Sequence, residues 1–300
     1  MHVHRLAAGV IVRAPAKLNL FFEVLARRND GYHEIETLMV PIGLYDTLTA
    51  RDHPAGDLQL DCDWDVAAAG GESLGTLPAP EDNLAYQAVR LLRERAGIVR
   101  GISLSLVKRI PSAAGLGGGS SDAAAALLAA NEIWQLHWPR EQLADLAAEL
   151  GSDVPFFVLG GPAICRGRGE RIEPLPGVFP LHFVVVRPPV GLSTASVDQH
   201  CQVAERPRCA KPLAEALRHG DTRSLKHLIH NRLQDAAETL CPWIVTLERE
   251  LAAQDCLADQ MSGSGTSYFG ICRHARHARR VAGRLQSRGL GRVYAASTCN

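Results

Sequence analysis

The chain has 300 residues, 46% of them apolar, with 32 basic and 32 acidic side chains and a formal net charge of zero. That length and composition can bury one large core or two medium ones without metals or disulfides, and the balanced charge excludes the footprint of a dedicated nucleic-acid or membrane-surface binder. Eight scattered cysteines with no CxxC pair exclude a small disulfide scaffold and read as reduced thiols in a cytoplasmic chain.

The opening MHVHRLAAGVIVR is interrupted too soon for a signal peptide, and no segment approaches ~18 uninterrupted apolar residues, so no membrane partner is expected. From Val10 to Arg51 apolar and polar residues alternate around RRNDGY, which predicts strand, a turn at Asp30-Gly31, and more strand. Residues 53–80 read as an irregular excursion with one edge strand, LQLDCD. Leu84, Ala88, Leu91, Leu92 and Ala96 recur at helical spacing, and Gly97 supplies a stop. GISLSLVKRIP alternates again and runs into PSAAGLGGGSSDAAAALLAA, a glycine loop followed by an alanine helix. A helix is expected over Arg140–Leu150, then strand in FFVLGGPAICRGRGE and LHFVVVRPP. Helices dominate from about Ser196 to MSGSGTSYFG. The order lacks regular βα alternation and predicts α+β architecture, with a boundary near Pro188-Pro189 that divides the chain into 1–188 and 189–300.

The glycine loop can be read physically. A helix start leaves about four backbone N–H groups without partners and carries roughly half a positive charge. Glycines let the backbone approach an anion closely, and Ser120 and Ser121 add hydroxyl donors or a magnesium contact. A polyphosphate suits the place. No lysine follows the glycines, which excludes the P-loop, and no adjoining βαβ pattern supports a dinucleotide fingerprint.

Two residues offer chemistry to such a cradle. Lys17 interrupts the apolar strand APAKLNLFF, either as an outward-facing residue of a half-buried sheet or as a functional ammonium. Asp153 lies between Gly151-Ser152 and Val154-Pro155-Phe156-Phe157, either as a helix-end turn aspartate or as a catalytic acid or base. Asp122 either contacts magnesium or complements the helix dipole. His227 and His230 in HLIH would share a helix face, but no third metal ligand is in view, and the basic segment HARHARRVAGRLQSR reads as a solvated helix face.

Four blocks, PAKLNLFFEVLARRNDGYHEIETL, PSAAGLGGGSSDAAAAL, GSDVPFFVLGGPAICRGRGE and MSGSGTSYFG, together resemble the galactokinase, homoserine kinase, mevalonate kinase and phosphomevalonate kinase (GHMP) superfamily. KLNL, RRNDGYHEIETL and GSDVPFF are most similar to its branch acting on a cytidine-diphosphate-linked methylerythritol. The resemblance implies a two-domain α+β kinase with its site in the interdomain cleft, using ATP and Mg2+ to phosphorylate the 2-hydroxyl of that small-molecule substrate in non-mevalonate isoprenoid synthesis. It implies Asp153 as catalytic base and Lys17 as the group that orients it and stabilises the transferring phosphoryl. Asn19 would contact the acceptor, Tyr32 would stack on the cytosine and His33 would hydrogen-bond it. Pro111 and the stretch Gly115, Leu116, Gly117, Gly118, Gly119, Ser120 and Ser121, within a loop spanning 113–121, would wrap the ATP phosphates. Asn83 and Leu84 would lie near adenosine, and Gly263, Ser264, Gly265 and Thr266 would form a supporting loop. Asp198 stands near a place where the family usually has an aromatic residue over the other cytosine face. A homoserine or mevalonate type of kinase and a non-catalytic nucleotide sensor are the rival readings; the DGYH turn argues against the first, and Lys17 with Asp153 against the second.

Overall fold

A computed structural model describes residues 1–65 and 76–299, so part of the irregular stretch expected over 53–80 lies outside the described residues. β1 (Val3–Leu6), β2 (Gly9–Arg27) and β3 (His33–His53) form an antiparallel meander, and the long β2–β3 hairpin turns at Asp30-Gly31. β4 (Leu58–Trp64) is an edge strand. α1 (Leu84–Ala96) starts at Asn83, whose side chain accepts a hydrogen bond from Ala85 N, and ends at Gly97 with φ of 64°. Both are the termini that cap chemistry dictates. β5 (Gly101–Lys108) lies between β3 and β4. α2 (Gly118–Ile133), α3 (Arg140–Ala147) and α4 (Val154–Leu159) follow, and β6 (Ala163–Gly167) with β7 (Arg171–Pro174) extends the sheet from the other part of β3.

The run FFVLGGPAICRGRGE is not strand throughout. Val154 to Val158 is entirely buried and helical, with Pro155 in the first turn and Gly160 at its end with φ of 77°, and strand begins only at Ala163. A short apolar run carries no period that separates a buried strand from a buried helix. Proline at a helix start and glycine at its end decide the case.

α1, α2, α3 and α4 pack on one face of the sheet around a core that includes Val12, Ala14, Leu48, Leu104 and Leu106. Ala123, Ala124, Ala125, Ala126, Ala129 and Ala130 of α2 are all fully buried. Together with Leu127 and Leu128 they pack α2 onto the sheet core, and the Lys17 N–H of β2 donates to the Leu116 carbonyl just ahead of the helix at 2.9 Å.

The second half contains β8 (His182–Arg187), α5 (Thr194–His200), α6 (Lys211–His219), α7 (Leu225–Leu228), β9 (His230–Asn231), α8 (Gln234–Leu240) and α9 (Pro242–Ala252). β10 (Ala258–Met261), β11 (Tyr268–Cys272), α10 (Ala275–Gln286) and β12 (Arg292–Ser297) complete it. Its four-stranded antiparallel sheet has the order β10-β11-β8-β12. Residues alternate across it: Phe183, Val185, Phe269 and Ile271 face a core shared with Leu18, Leu20 and Phe21 of β2, while Val184, Val186 and Tyr268 face Leu247, Val281 and Leu285. The shared core fastens the two sheets to each other.

Two expectations change. β8 precedes Pro188 yet pairs with β11 and β12, so the second sheet begins ahead of the boundary at 188. His227 and His230 do not share a helix face, because α7 stops at Leu228, Ile229 is extended, and His230 pairs beside Phe21 of β2. Among the described residues no helix is long and apolar enough to cross a membrane.

Candidate active site

Between the two sheets lies a cleft of about 700 Å³, a size suited to a nucleotide and a second small molecule. One wall is the glycine loop. Gly115 and Gly117 have φ of +72° and +70°, and an added Cβ would lie 2.2 Å from the Ser262 carbonyl oxygen at the first and 3.0 Å from Lys17 Cγ and the Phe157 ring at the second. Only glycine meets both demands, of conformation and of space. Gly117 caps the sixteen-residue α2, whose dipole and free N–H groups point into the cleft.

The loop around residues 262–267 braces the first. Ser262 Oγ donates to the Gly115 carbonyl at 3.0 Å, Ser267 N donates to the Ala114 carbonyl at 3.1 Å, and Asn231 Nδ2 donates to the Met261 and Gly263 carbonyls at 2.9 and 2.8 Å. Ser264 Oγ lies 2.8 Å from Thr194 Oγ1, which ties the loop to the start of α5.

Lys17 is only 4% exposed, so the reading of an outward-facing sheet residue does not hold. β2 is buried on both faces from Ala14 to Phe21. The Lys17 backbone N–H donates to the Leu116 carbonyl at 2.9 Å, and Nζ donates to Asn19 Oδ1 at 2.5 Å and lies 3.6 Å from Asp153 Oδ2. Asn19 is in turn fixed by Nδ2 donating to Thr37 Oγ1 at 2.8 Å and by Gln260 Nε2 donating to its carbonyl at 2.9 Å. A register shift between Asn19 and Phe21 interrupts the β2–β3 ladder beside these side chains, the kind of bulge that re-aims residues at a site. Asp153, one third exposed in its side chain, precedes α4 and presents a carboxylate to the cleft next to a buried cation. The pair can accept a proton from a bound hydroxyl and place positive charge beside a transferring anion.

At the other end of the cleft stand Tyr32, His33, Phe22, Arg168 and Asp198. Tyr32 is 54% exposed, with the Arg168 guanidinium carbon 5.0 Å from its ring centroid. Arg28, Asp30 and Glu34 brace the turn that carries it through ion pairs. Burial pushes the Asp198 carboxyl above its usual range, and the nearby His33 charge opposes this.

Asn83, Leu84, Pro111, Gly118, Gly119, Ser120, Gly263 and Gly265 also line the cleft. Leu116, Ser121 and Thr266 do not. Leu116 belongs to the shared core, Thr266 Oγ1 donates to the Val190 carbonyl at 2.7 Å, and Ser121 is fully buried. Of the two serines, only Ser120 is presented to a ligand.

Sequence reasoning missed a buried charge cluster under the loop. Lys108 Nζ bonds to both Asp46 and Asp122, and Asp46 also accepts from the backbone N–H of Arg109 and of Ile110. Asp122 is therefore neither free at the helix start nor simply a dipole complement. Burial pushes its carboxyl well above the usual range, against the pull of Lys108. Burial alone would lower the Lys108 ammonium, but Asp122 and Asp46 outweigh it and hold it above the ordinary lysine value. A lysine closing an alternating strand just before the glycine loop was the available signal for Lys108. Asp46, inside β3, had none. Arg168 stood in the GRGE segment but without a geometric partner to single it out.

The family model of the GHMP kinases N terminal domain matches residues 83–161, and that of the GHMP kinases C terminal matches residues 213–290. The chain is 42% identical over 262 residues to the 4-diphosphocytidyl-2-C-methyl-D-erythritol kinase of Shouchella clausii, covering 87% of this chain and 84% of that protein. It is 41% identical over 275 residues to the enzyme of that name from Pelotomaculum thermopropionicum, covering 91% and 92%. A crystal structure of 4-(cytidine 5'-diphospho)-2C-methyl-D-erythritol kinase superposes with a TM-score of 0.81 at 35% identity, covering 97% of this chain and 99% of that one. Likeness at this level, over nearly the whole length and in both fold and sequence, shows that the chain belongs to the 4-diphosphocytidyl-2-C-methyl-D-erythritol kinase family of the ATP-dependent GHMP kinases.

Proposed function

We propose that the protein transfers the γ-phosphoryl group of ATP to the tertiary 2-hydroxyl of 4-diphosphocytidyl-2-C-methyl-D-erythritol, giving the 2-phosphate and ADP. The observation that carries this reading is the Lys17–Asp153 contact at 3.6 Å, in one cleft with the glycine loop and the Tyr32-His33 turn. Asp153 draws the proton from the acceptor hydroxyl. Lys17, oriented by Asn19, offsets the negative charge that builds on the transferring group.

The polyphosphate lies along Gly115 to Ser120, where open backbone N–H groups and the α2 dipole receive it, with adenosine toward Asn83 and Leu84. Tyr32 stacks on the cytosine and His33 hydrogen-bonds it. A tertiary alcohol is a crowded nucleophile, so much of the rate comes from the cytidine diphosphate handle holding the hydroxyl in line. The residues fit a magnesium ion that arrives with the nucleotide. Asp122 Oδ1 is a buried oxygen with no hydrogen-bond partner among the described residues, and such ions combine one or two protein oxygens with phosphate and water. Ser120 and Asp122 would hold the ion, which when bound neutralises charge on the β- and γ-phosphates. We also infer a two-domain division, with the boundary of 188 moved ahead of His182 because β8 pairs within the second sheet.

The test is coupled ADP release with the cytidylated alcohol as acceptor and homoserine and mevalonate as controls. The wild type turns over the first alone. Asp153→Asn loses at least about three orders of magnitude in kcat while ATP still binds. Near-normal turnover in that variant would remove Asp153 as the base, and turnover on either control would remove the substrate assignment.

A further inference from the structure

We propose that Cys256 and Cys272 form a modification site, a dithiol that closes reversibly to a disulfide across the open end of the β10–β11 hairpin. The backbone brings the two residues together. Ala258 pairs with Ile271, so an unbroken antiparallel register would set Leu257 opposite Cys272. Instead Leu257 N donates to the Ile271 carbonyl at 2.8 Å. Continued past this hydrogen bond, the shifted register would set Cys256 opposite Cys272. Residues directly opposite in an antiparallel ladder have Cα atoms about 4.5–5.5 Å apart, within the span a disulfide bridges.

The side chains agree with the backbone. Gly270 shares a face of β11 with Cys272, and a Cβ built on it would lie 2.7 Å from Cys256 Sγ. The Cys256 sulfur therefore fills the space that a side chain at 270 would take, beside Cys272, whose Sγ is 3.9 Å from the Gly270 carbonyl oxygen. A hydrogen bond between the thiols pushes the Cys256 thiol up and pulls the Cys272 thiol down, and Arg273 and Arg280 favour the Cys272 thiolate further.

Both thiols are free in this structure. Closure needs a two-electron oxidant, and a small-molecule disulfide such as oxidised glutathione supplies it. The half-buried Cys256 sulfur, passing its proton along the hydrogen bond to the Cys272 thiolate, attacks the oxidant, forms a mixed disulfide and releases one small thiolate, which takes that proton from Cys272. The buried Cys272 thiolate then attacks the Cys256 sulfur and releases the second. The two electrons leave on the two small thiols, which take up the two protons the cysteines lose. The hairpin so stapled carries, at its other end, the loop of residues 262–267 that braces the glycine loop.

The full-length reduced protein is incubated with oxidised glutathione, alkylated, digested without reductant and read by mass spectrometry. The expected product links the Cys256 and Cys272 peptides, with two of the eight thiols protected from alkylation and both restored by dithiothreitol. The oxidised wild type melts roughly 5 °C higher than the reduced form, and Cys256→Ser and Cys272→Ser each abolish both the link and the shift. Glutathione retained on Cys256 with Cys272 still alkylated, or a link that joins other cysteines, would overturn the proposal.

Discussion

Lys108→Met removes the one ammonium that bonds to both Asp46 and Asp122 beneath the glycine loop. All three side chains are at most 7% exposed, so water does not replace the lost partner. Breaking a buried ion pair by deleting one member costs about 3–5 kcal/mol, a large share of the roughly 5–15 kcal/mol that holds a domain folded. The pH dependence follows from Asp122, whose carboxyl is raised by burial. A raised acid keeps its proton in the native state to higher pH than in the unfolded chain. Its stabilising contribution is therefore present at low pH and is lost as pH rises through the native value. Without Lys108 that value rises further, so the deficit of Lys108→Met is largest above neutrality and shrinks toward pH 5. Urea unfolding of the wild type, Lys108→Met and Lys108→Met/Asp122→Asn between pH 5 and 8 measures it, and the double variant should recover part of the loss. A single variant within about 1 kcal/mol of wild type, or a deficit that grows on acidification, would refute the reasoning.

Three further outcomes are expected. Gly115→Ala forces a non-glycine residue to φ +72° with its Cβ 2.2 Å from the Ser262 carbonyl; it should cost at least about 1–2 kcal/mol of stability and raise KM for ATP as the two loops part, both read in one purified variant. Tyr32→Ala, at a position 54% exposed, should leave the melting temperature unchanged and raise KM for the cytidylated substrate about tenfold or more, the worth of one base stacked on one ring, with KM for ATP within about twofold; equal effects on both would end the stacking role. Glu23 has a fully buried side chain bonded to Arg232 Nε at 2.7 Å and to the Arg208 N–H at 2.9 Å. Burial pushes its carboxyl up, but these donors outweigh it and hold it below the usual range. Its stabilisation is thus complete above the unfolded pKa of about 4.3 and is lost as pH falls through the native value, so Glu23→Gln should destabilise by roughly 2–4 kcal/mol at pH 7 and converge on wild type in acid, as followed by thermal melts across pH.

Much of the glycine-loop wall of the cleft was legible because it is made of local signals. The helical spacing from Leu84, Gly97 as a stop and Gly115 to Ser120 ahead of a helix all act through the backbone of their immediate neighbours, and periodicity exposes such features. Residues 156–159 were misread as strand for the opposite reason: they sit in a helix whose first five residues are all buried and leave no polar face to mark a period. His227 and His230 were paired on a helix that ends between them, because the pull of β2 on His230 is a long-range contact.

By itself the sequence determined the Asp-Gly hairpin, the amphipathic helices, the glycine loop at a helix start and, through four separated blocks, membership of a kinase family. The tertiary structure alone decided that Lys17 is buried against Asp153, that Ser121 is buried and does not line the cleft, that Lys108 joins Asp46 and Asp122, and that the Cys256 sulfur fills the space over Gly270 beside Cys272. Each of these depends on packing between residues that are not neighbours in the chain, from 14 positions apart for Lys108 and Asp122 to 136 for Lys17 and Asp153. A periodic pattern records which face of an element is apolar; which partner that face meets, and how far a buried charge lies from its counter-ion, is set only when strands and helices that are not sequence neighbours pack on one another.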